Sequence, residues 1–394
     1  MMDLHYSFYQ QLFKLVAPRE RKRLPGADDA RNAMGVHRPQ ELVRLLTVPF
    51  KAHERRRKFS FVPKATPVHT NQPAKTDEAV RSPILSLPVE IKQMIFGWLD
   101  DLEDRMSLGL TCTYFWSLAL SSMHNKWVSN MGNWAGKNIV FVGMDANAGD
   151  YPPGLFSEEE KAALPLQKKH TPTFSSDKRP VSLYELAKSK YSKDQLPYQC
   201  DPLHNFLRCL LRGMSRGDLE DFSHPGVVAR IADLDDLEEK DFYPTDQPWI
   251  LRNLTTKEFV RAEAIALKPK FIHGPRIEGL GFGHIVLSRI CWSSKPILKI
   301  NSPMNVARGV WAGHRFDITT VPRHEEATKG EEWVDVSQEV LDEINIIYCR
   351  QFGANWRERF MNSPYDGRDT LLEARPGWYN AWDRHTPSDT VRDD

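Results

Sequence analysis

Cysteine is scarce and unpatterned in this chain: Cys112, Cys200, Cys209, Cys291 and Cys349 are spread over 394 residues. An odd number at such spacings gives no disulfide framework, and without a C-x-x-C pair or a Cys/His ligand spacing a zinc module is not expected either. Free thiols point to a reducing, intracellular location, cytoplasmic or nuclear. Long apolar runs are missing too. No stretch approaches the ~18 residues of a membrane-spanning helix. "MMDLHYSFYQQLFKLV", with an early acid and scattered aromatics, lacks the layout of a secretory signal. Catalytic signatures are absent as well. "GLGFGH" (Gly279–His284) lacks the G-x-G-x-x-G spacing and reads as a tight turn running into a strand rather than as a phosphate loop before a helix. His273, His284, His314 and His324, with Asp317 nearby, show no H-E-x-x-H spacing. Ser288 and Ser293 have no nucleophile-elbow context, and Cys291 reads as a small buried apolar residue. The expectation is a protein with no catalytic site, no metal and no cofactor.

What is present is ordinary globular composition, 41% apolar and 27% charged, on a chain long enough for two or three domains. A net charge of +1 conceals an asymmetry. Residues 1–80 hold 15 Lys and Arg against 8 Asp and Glu, a surplus of +7 that leaves −6 for the remainder. This predicts a basic, largely irregular arm and linker over residues 1–80. Within it Tyr9, Leu12, Phe13 and Val16 recur at helical spacing, and Leu42, Val43, Leu45 and Leu46 make a second apolar run. Two basic clusters, "RERKR" (Arg19–Arg23) and "ERRRK" (Glu54–Lys58, with Arg55, Arg56, Arg57 and Lys58), are read as a solvated tail in preference to a nuclear-import signal or a nucleic-acid contact.

Beyond residue 123 a mixed α/β domain is expected over 124–394, polar and loose from about 364. Its predicted parts are a strand in "KNIVFVG" (137–143), a capping box at Ser157/Glu160, and a helix over 201–214. A second capping box is read at Thr255/Glu258. Strands are read in "HIVLSRICW" (284–292), "PILKI" (296–300) and 308–321. A helix capped by Ser337 ends at Gly353. "WAGKNIVFV" (134–142) and "WAGHRFDIT" (311–319) echo one another and read as equivalent leads into strands of one sheet. Eleven tryptophans are assigned to core and interface.

The densest apolar stretch is "SLPVEIKQMIFGWLDDLEDRMSLGLTCTYFWSLA" (86–119). Ile91, Met94, Ile95, Trp98 and Leu99 fall at i, i+3, i+4, i+7 and i+8, an apolar stripe on one helix, with Leu87 and Phe96 off it. So short a unit cannot bury that load within itself, at ~1.5–3 kcal/mol for each large side chain. Either the rest of the chain or another protein must cover it. Leu87-Pro88-x-Glu90-Ile91, then Ile95 and Leu99, an acidic turn with Asp100 and Asp104, and Leu108-x-Leu110-Thr111-Cys112 with Phe115 resemble the F-box motif over about a tenth of the chain. Asp101 stands where that family usually has Pro, in a turn one residue longer, and Arg105 stands where it often has an apolar residue.

The resemblance implies an α+β chain: a three-helix F-box module at 81–123, docking on a Skp-family adaptor, followed by the mixed domain. Leu87, Pro88, Ile91, Ile95, Trp98, Leu99, Leu108, Leu110 and Phe115 would be the adaptor-binding residues. It further implies a non-catalytic substrate receptor of an SCF-type ubiquitin ligase, with a cullin–RING assembly and an unidentified protein substrate as partners and no role for membrane or nucleic acid. Two alternatives stay open. One is an adaptor-bound protein acting outside a ligase, linked to chromatin by its basic arm; the other is an enzyme whose α/β domain the F-box targets.

Overall fold

The computed structural model of the chain describes residues 12–24, 38–50, 83–168, 178–194, 242–295 and 306–361. The fold is α+β, and its contacts divide it into two units. Residues 1–48, 134–194 and 245–394 make up one, an α/β unit in its described residues; residues 49–133 and 195–244 make up the other, whose described elements are helices. Among the described residues no helix is long and apolar enough to cross a membrane.

The α/β unit starts with β1 (Phe13–Ala17), which turns through Pro18–Arg21 into β2 (Lys22–Arg23), pairing Val16 with Arg23 and Ala17 with Lys22. All five residues of β1 are buried, and Phe13 stacks on Phe141 with ring centroids 4.7 Å apart. The helical spacing read at Leu12, Phe13 and Val16 is therefore wrong, because a strand covered on both faces carries no period that separates it from a helix. The irregular arm expected over 1–80 is corrected at these residues as well. "RERKR" is the hairpin turn: Arg19 pairs with Glu160 (3.3 Å), Lys22 with Asp194 (3.1 Å), and Arg23 Nε donates to the Tyr191 carbonyl (3.4 Å). The second apolar run forms α1 (Arg38–Leu46), with Leu42, Val43, Leu45 and Leu46 buried. Arg55, Arg56, Arg57 and Lys58, the linker, the helix read over 201–214, "PILKI" and the tail from 364 lie outside the described residues.

After Val48 the chain builds the helical unit: α2 (Pro83–Ser86), α3 (Val89–Trp98), α4 (Leu102–Leu110) and α5 (Thr113–Asn130). From Trp134 it is again part of the α/β unit, and β3 (Val140–Gly143) pairs antiparallel with β1, Phe13 opposite Gly143 and Val16 opposite Val140. α6 (Glu158–Ala162) carries the expected capping box, with Ser157 Oγ accepting from the Glu160 N–H and Glu160 Oε2 accepting from the Ser157 N–H. β4 (Leu166–Lys168) and β5 (Lys178–Pro180) pair antiparallel in a small two-stranded sheet. α7 (Leu183–Ser189) packs Leu183, Tyr184, Leu186 and Ala187 with Val16, Val140 and Val142, and β6 (Ser192–Lys193) adds parallel to β2.

The remainder opens with a second hairpin, β7 (Trp249–Asn253) and β8 (Glu258–Arg261), followed by α8 (Ala262–Ile265). Thr255 and Glu258 are thus not a helix cap; they sit in a hairpin whose turn ends at Lys257 with φ 57°. A small β9 (Ile272–His273)–β10 (Arg276–Ile277) pair leads to α9 (Phe282–Arg289) and β11 (Cys291–Trp292). The strand read over 284–292 is therefore mostly a helix. Every residue of α9 is buried, so its sequence shows neither period. β12 (Phe316–Thr320), α10 (Val321–Ala327), β13 (Val334–Asp335), α11 (Ser337–Phe352) and α12 (Trp356–Met361) complete the described chain. The residue before α11 is Val336, so Ser337 is its first helical residue rather than its cap, and Gly353 ends it at φ 87°.

One sheet runs β11-β3-β1-β2-β6 and another β12-β7-β8-β13. The two Trp-Ala-Gly segments consequently lead into different sheets, not one. They meet at an antiparallel bridge between Asn138 and Arg315.

Candidate functional site

The site begins at Pro88, whose φ of −55° suits the residue before a helix start and whose carbonyl accepts the N–H of Lys92 (3.2 Å). From there α3 turns inward a face other than its apolar stripe. Its buried residues are Lys92 and Phe96, four apart and flanking the apolar stripe on the side of Ile95 and Leu99. Phe96 is 1% exposed and meets Phe115 edge-on at 6.1 Å. Lys92 lays its stem along the same side. Its ammonium donates to the Leu85 carbonyl (2.9 Å) and sits 4.6 Å from the centre of the Tyr114 ring, so both the apolar stem and the charge find partners. The stripe faces outward. Ile91 is 41% exposed, Met94 49% and Trp98 76%. Leu85, Leu87, Val89 and Leu110 are exposed as well, Pro88 is exposed, and Ile95, Leu99 and Leu108 are half-buried.

Behind that face the helices are tied closely. Asp101 caps α4 by accepting the Glu103 N–H (2.8 Å), and Leu102 and Met106 are buried. At Gly109 a Cβ would lie 2.6 Å from the Ala119 Cβ and 3.3 Å from the Trp116 ring, so α4 and α5 cross where glycine alone leaves room. Cys112 caps α5 weakly, its Sγ 3.5 Å from the Phe115 N–H. Phe115, one of the residues assigned to the adaptor surface, is buried here. It holds α3 against α5 and offers no free face. Trp127 and His124, further along α5, pack on Phe242, whose carbonyl accepts the Phe50 N–H (2.8 Å).

Arg105, the departure from the expected apolar residue, does not reach the face. It is buried, and its Nε donates to the Leu99 carbonyl at 2.5 Å; burial, opposed by Asp100, lowers its pKa from the usual arginine value. Lys126 donates to the next carbonyl, that of Asp100 (2.6 Å). Two cations from α4 and α5 therefore satisfy the unpaired carbonyls just past the C-terminus of α3, where a helix end favours positive charge. They hold the turn that carries Trp98 in the place where the F-box motif usually has a proline. The carboxylates of Glu90, Asp101 and Asp104 are exposed.

In the α/β unit the titratable residues singled out by sequence do not converge. His273 pairs with Glu278 (2.8 Å), His314 with Asn253 (3.0 Å), and His324 with Arg252 (3.4 Å) beside the Arg252–Asp317 ion pair (2.7 Å). "GLGFGH" does precede a helix, contrary to expectation, but the Gly281 N–H at its start donates to Nδ1 of His284 (3.1 Å) and Gly283 lies against the backbone of Pro39. Burial pushes the His284 imidazole down to about 4 and raises the Cys291 thiol far above its ordinary range. Ser288 Oγ donates to the Ile285 carbonyl (2.8 Å). Among the described residues no group of three or more His, Cys, Asp or Glu side chains could hold a metal ion.

Lys92 and Lys126 were not singled out by sequence. A lysine inside an apolar period reads as surface, and nothing local announces a contact 26 residues away. Comparison with known proteins bears on the helical unit alone: the family model described as F-box-like matches residues 84–124. No curated protein and no solved structure matches the chain. The chain carries an F-box-like domain, and such a domain implies binding to a Skp-type adaptor.

Proposed function

We propose, starting from the F-box-like domain at 84–124, that this chain is the substrate-receptor subunit of an SCF-type ubiquitin ligase, non-catalytic itself. The helical unit docks on the Skp adaptor and, through it, on a cullin–RING assembly, and the α/β unit holds a protein substrate. One observation carries the reading: α3 buries Lys92 and Phe96 and leaves Ile91, Met94 and Trp98 in water. A helix packed merely as part of its own core would do the reverse, because the apolar stripe gains most from burial. Exposed apolar surface concentrated on one helix face is the mark of a partner-binding surface. Moving about 150 Å² of the Trp98 ring out of water on docking would contribute ~4 kcal/mol before the costs of association.

The test is co-expression with a Skp-family adaptor. The pair is expected to co-purify with one-to-one stoichiometry. Leu87→Ala with Pro88→Ala, and separately Trp98→Ala, should weaken the complex by ~2–4 kcal/mol, as loss of central anchors does. These side chains are exposed, so the melting temperature of the free chain should stay within about 2 °C. Unchanged adaptor affinity with a lowered melting temperature would defeat the reading.

A further inference from the structure

We propose that the α/β unit is two copies of one design, clasped by exchanged strand segments through a self-complementary interface, so that the halves hold together without the chain that joins them. The first copy spans β1 to β6 and the second β7 to β13.

The backbone supplies the argument. Both copies open with a hairpin of the same register: Ala17 faces Lys22 and Val16 faces Arg23, and Asn253 faces Glu258 and Arg252 faces Phe259. Each turn ends on a residue in the left-handed region, Arg21 at φ 53° and Lys257 at φ 57°, the two such non-glycine residues among those described. In both, a strand from after the Trp-Ala-Gly segment lies antiparallel to the hairpin's first strand; β3 pairs with β1 and β12 with β7. Gly136 and Gly313 sit at φ 74° and 83°. A final two-residue strand joins the hairpin's second strand in parallel, β6 on β2 and β13 on β8. Its hydrogen bonds match one for one: Ser192 N–H to Arg21 O and Val334 N–H to Lys257 O, then Asp194 N–H to Arg23 O and Val336 N–H to Phe259 O.

The contacts between copies are those of a two-fold axis, where residue i meets j and j meets i. Gly136 N–H donates to Phe316 O, and its counterpart Gly313 N–H donates to Ile139 O. Asn138 bridges Arg315, its own counterpart. α1 and α9 correspond, since Trp134 N–H donates to Leu45 O and Trp311 N–H to Arg289 O. They cross where Gly283 touches Pro39, again counterpart on counterpart, and a Cβ on Gly283 would lie 1.9 Å from the Pro39 carbonyl oxygen. The chain just past each helix then adds in parallel to the other copy's sheet: Thr47 to Ile318 of β12, and Cys291, two residues beyond α9, to Phe141 of β3. Neither copy completes its own sheet. In the second copy residues 293–310 connect the helix region to the Trp-Ala-Gly segment; in the first, the corresponding connection is residues 49–133, which contain the F-box-like domain. That domain is an insertion into one copy.

The experiment places a site-specific protease sequence between Thr245 and Asp246, exposed residues at the boundary between the units, in the full chain. After cleavage, the fragments 1–245 and 246–394 are expected to elute together from a sizing column at micromolar concentration while running as two bands on a denaturing gel. Gly283→Val, which forces bulk into the helix crossing, should raise the fragments' dissociation constant at least about tenfold. If that variant fails to fold even uncut, Val48→Pro, which deletes the Val48 N–H bond to the Ile318 carbonyl without adding bulk at the crossing, takes its place. Cut wild-type fragments that separate on the column, or a cut variant that holds together as tightly as wild type, would overturn the proposal.

Discussion

The two halves of the α/β unit contain an internal control for one buried ion pair. Val16 faces Val140 across β1 and β3; at the corresponding positions Arg252 faces Asp317 across β7 and β12. The Arg252–Asp317 contact is two-pronged, Nε to Oδ1 at 2.8 Å and Nη2 to Oδ2 at 2.7 Å, with the side chains 13% and 10% exposed. Trp333 covers the guanidinium at 5.6 Å. Such a pair is strongly attractive, but both ions have lost water to make it, and apolar residues of fitting shape often serve as well or better. Removing one partner strands the other. Arg252→Val or Asp317→Val alone should therefore destabilise the α/β unit by ~3–5 kcal/mol, the residual exposure favouring the lower figure. The double variant, which restores the Val-Val arrangement of the first half, should lie within about 1 kcal/mol of wild type or above it. Urea unfolding of all four proteins at fixed pH and salt, followed by tryptophan fluorescence, gives the coupling energy of the cycle. Additive single losses, with the double variant about as unstable as their sum, would show that the pair is not an isolated exchange of charge for valine and refute the reasoning.

Two further outcomes follow. His284 is fully buried with its imidazole pushed down to about 4, so below its ordinary 6.5 the unfolded chain takes up a proton that the folded chain refuses. Stability should be complete above about pH 6.5 and fall by about 3 kcal/mol as pH drops to about 4; His284→Asn should flatten that segment of a pH–stability curve, and an unchanged slope would remove His284 as the cause. In the helical unit, Arg105→Met or Lys126→Met frees the carbonyl of Leu99 or Asp100 and loosens the turn behind Trp98. Each should weaken adaptor binding by ~1–2 kcal/mol, as loss of a charged hydrogen bond does, with far-ultraviolet circular dichroism unchanged; full adaptor affinity in both variants would dismiss the clamp.

How much of this was legible in the sequence depended on whether an element has one covered face or two. The stripe on α3 and the long period of α11 are one-sided, and both are legible in the spacing of their apolar residues. The direction of the α3 stripe was not written in its period, because a helix exposing its apolar side to a partner and one burying it show the same spacing. Phe96, off the stripe, and Lys92 supplied the inward contacts instead. β1 and α9 are covered all round, so the sequence of the strand passes for a helix and that of the helix for a strand. Thr255-x-x-Glu258 imitated a helix cap because the hairpin turn rests on Lys257 in a conformation that favours glycine. Of the duplication, the letters preserve little beyond Trp-Ala-Gly, since the copies share backbone hydrogen bonds, which many side chains permit.

The pairing of β1 with β3 sets an order of events on the ribosome. β1 needs residues 140–143 beside it, but the F-box-like domain is translated in between. At ~5–20 residues per second, the buried strand Phe13–Ala17 waits on the order of ten seconds for its partner. The helical module, with its close contacts between α4 and α5, is local enough to fold during that interval. The nascent chain thus presents a finished adaptor-binding face while one edge of an apolar strand upstream still lacks its partner. Early capture by the adaptor would leave that strand as the main exposed hazard, and the cations within and just after it, Lys14 and Arg19, are the kind of charge that slows pairing with a neighbouring chain.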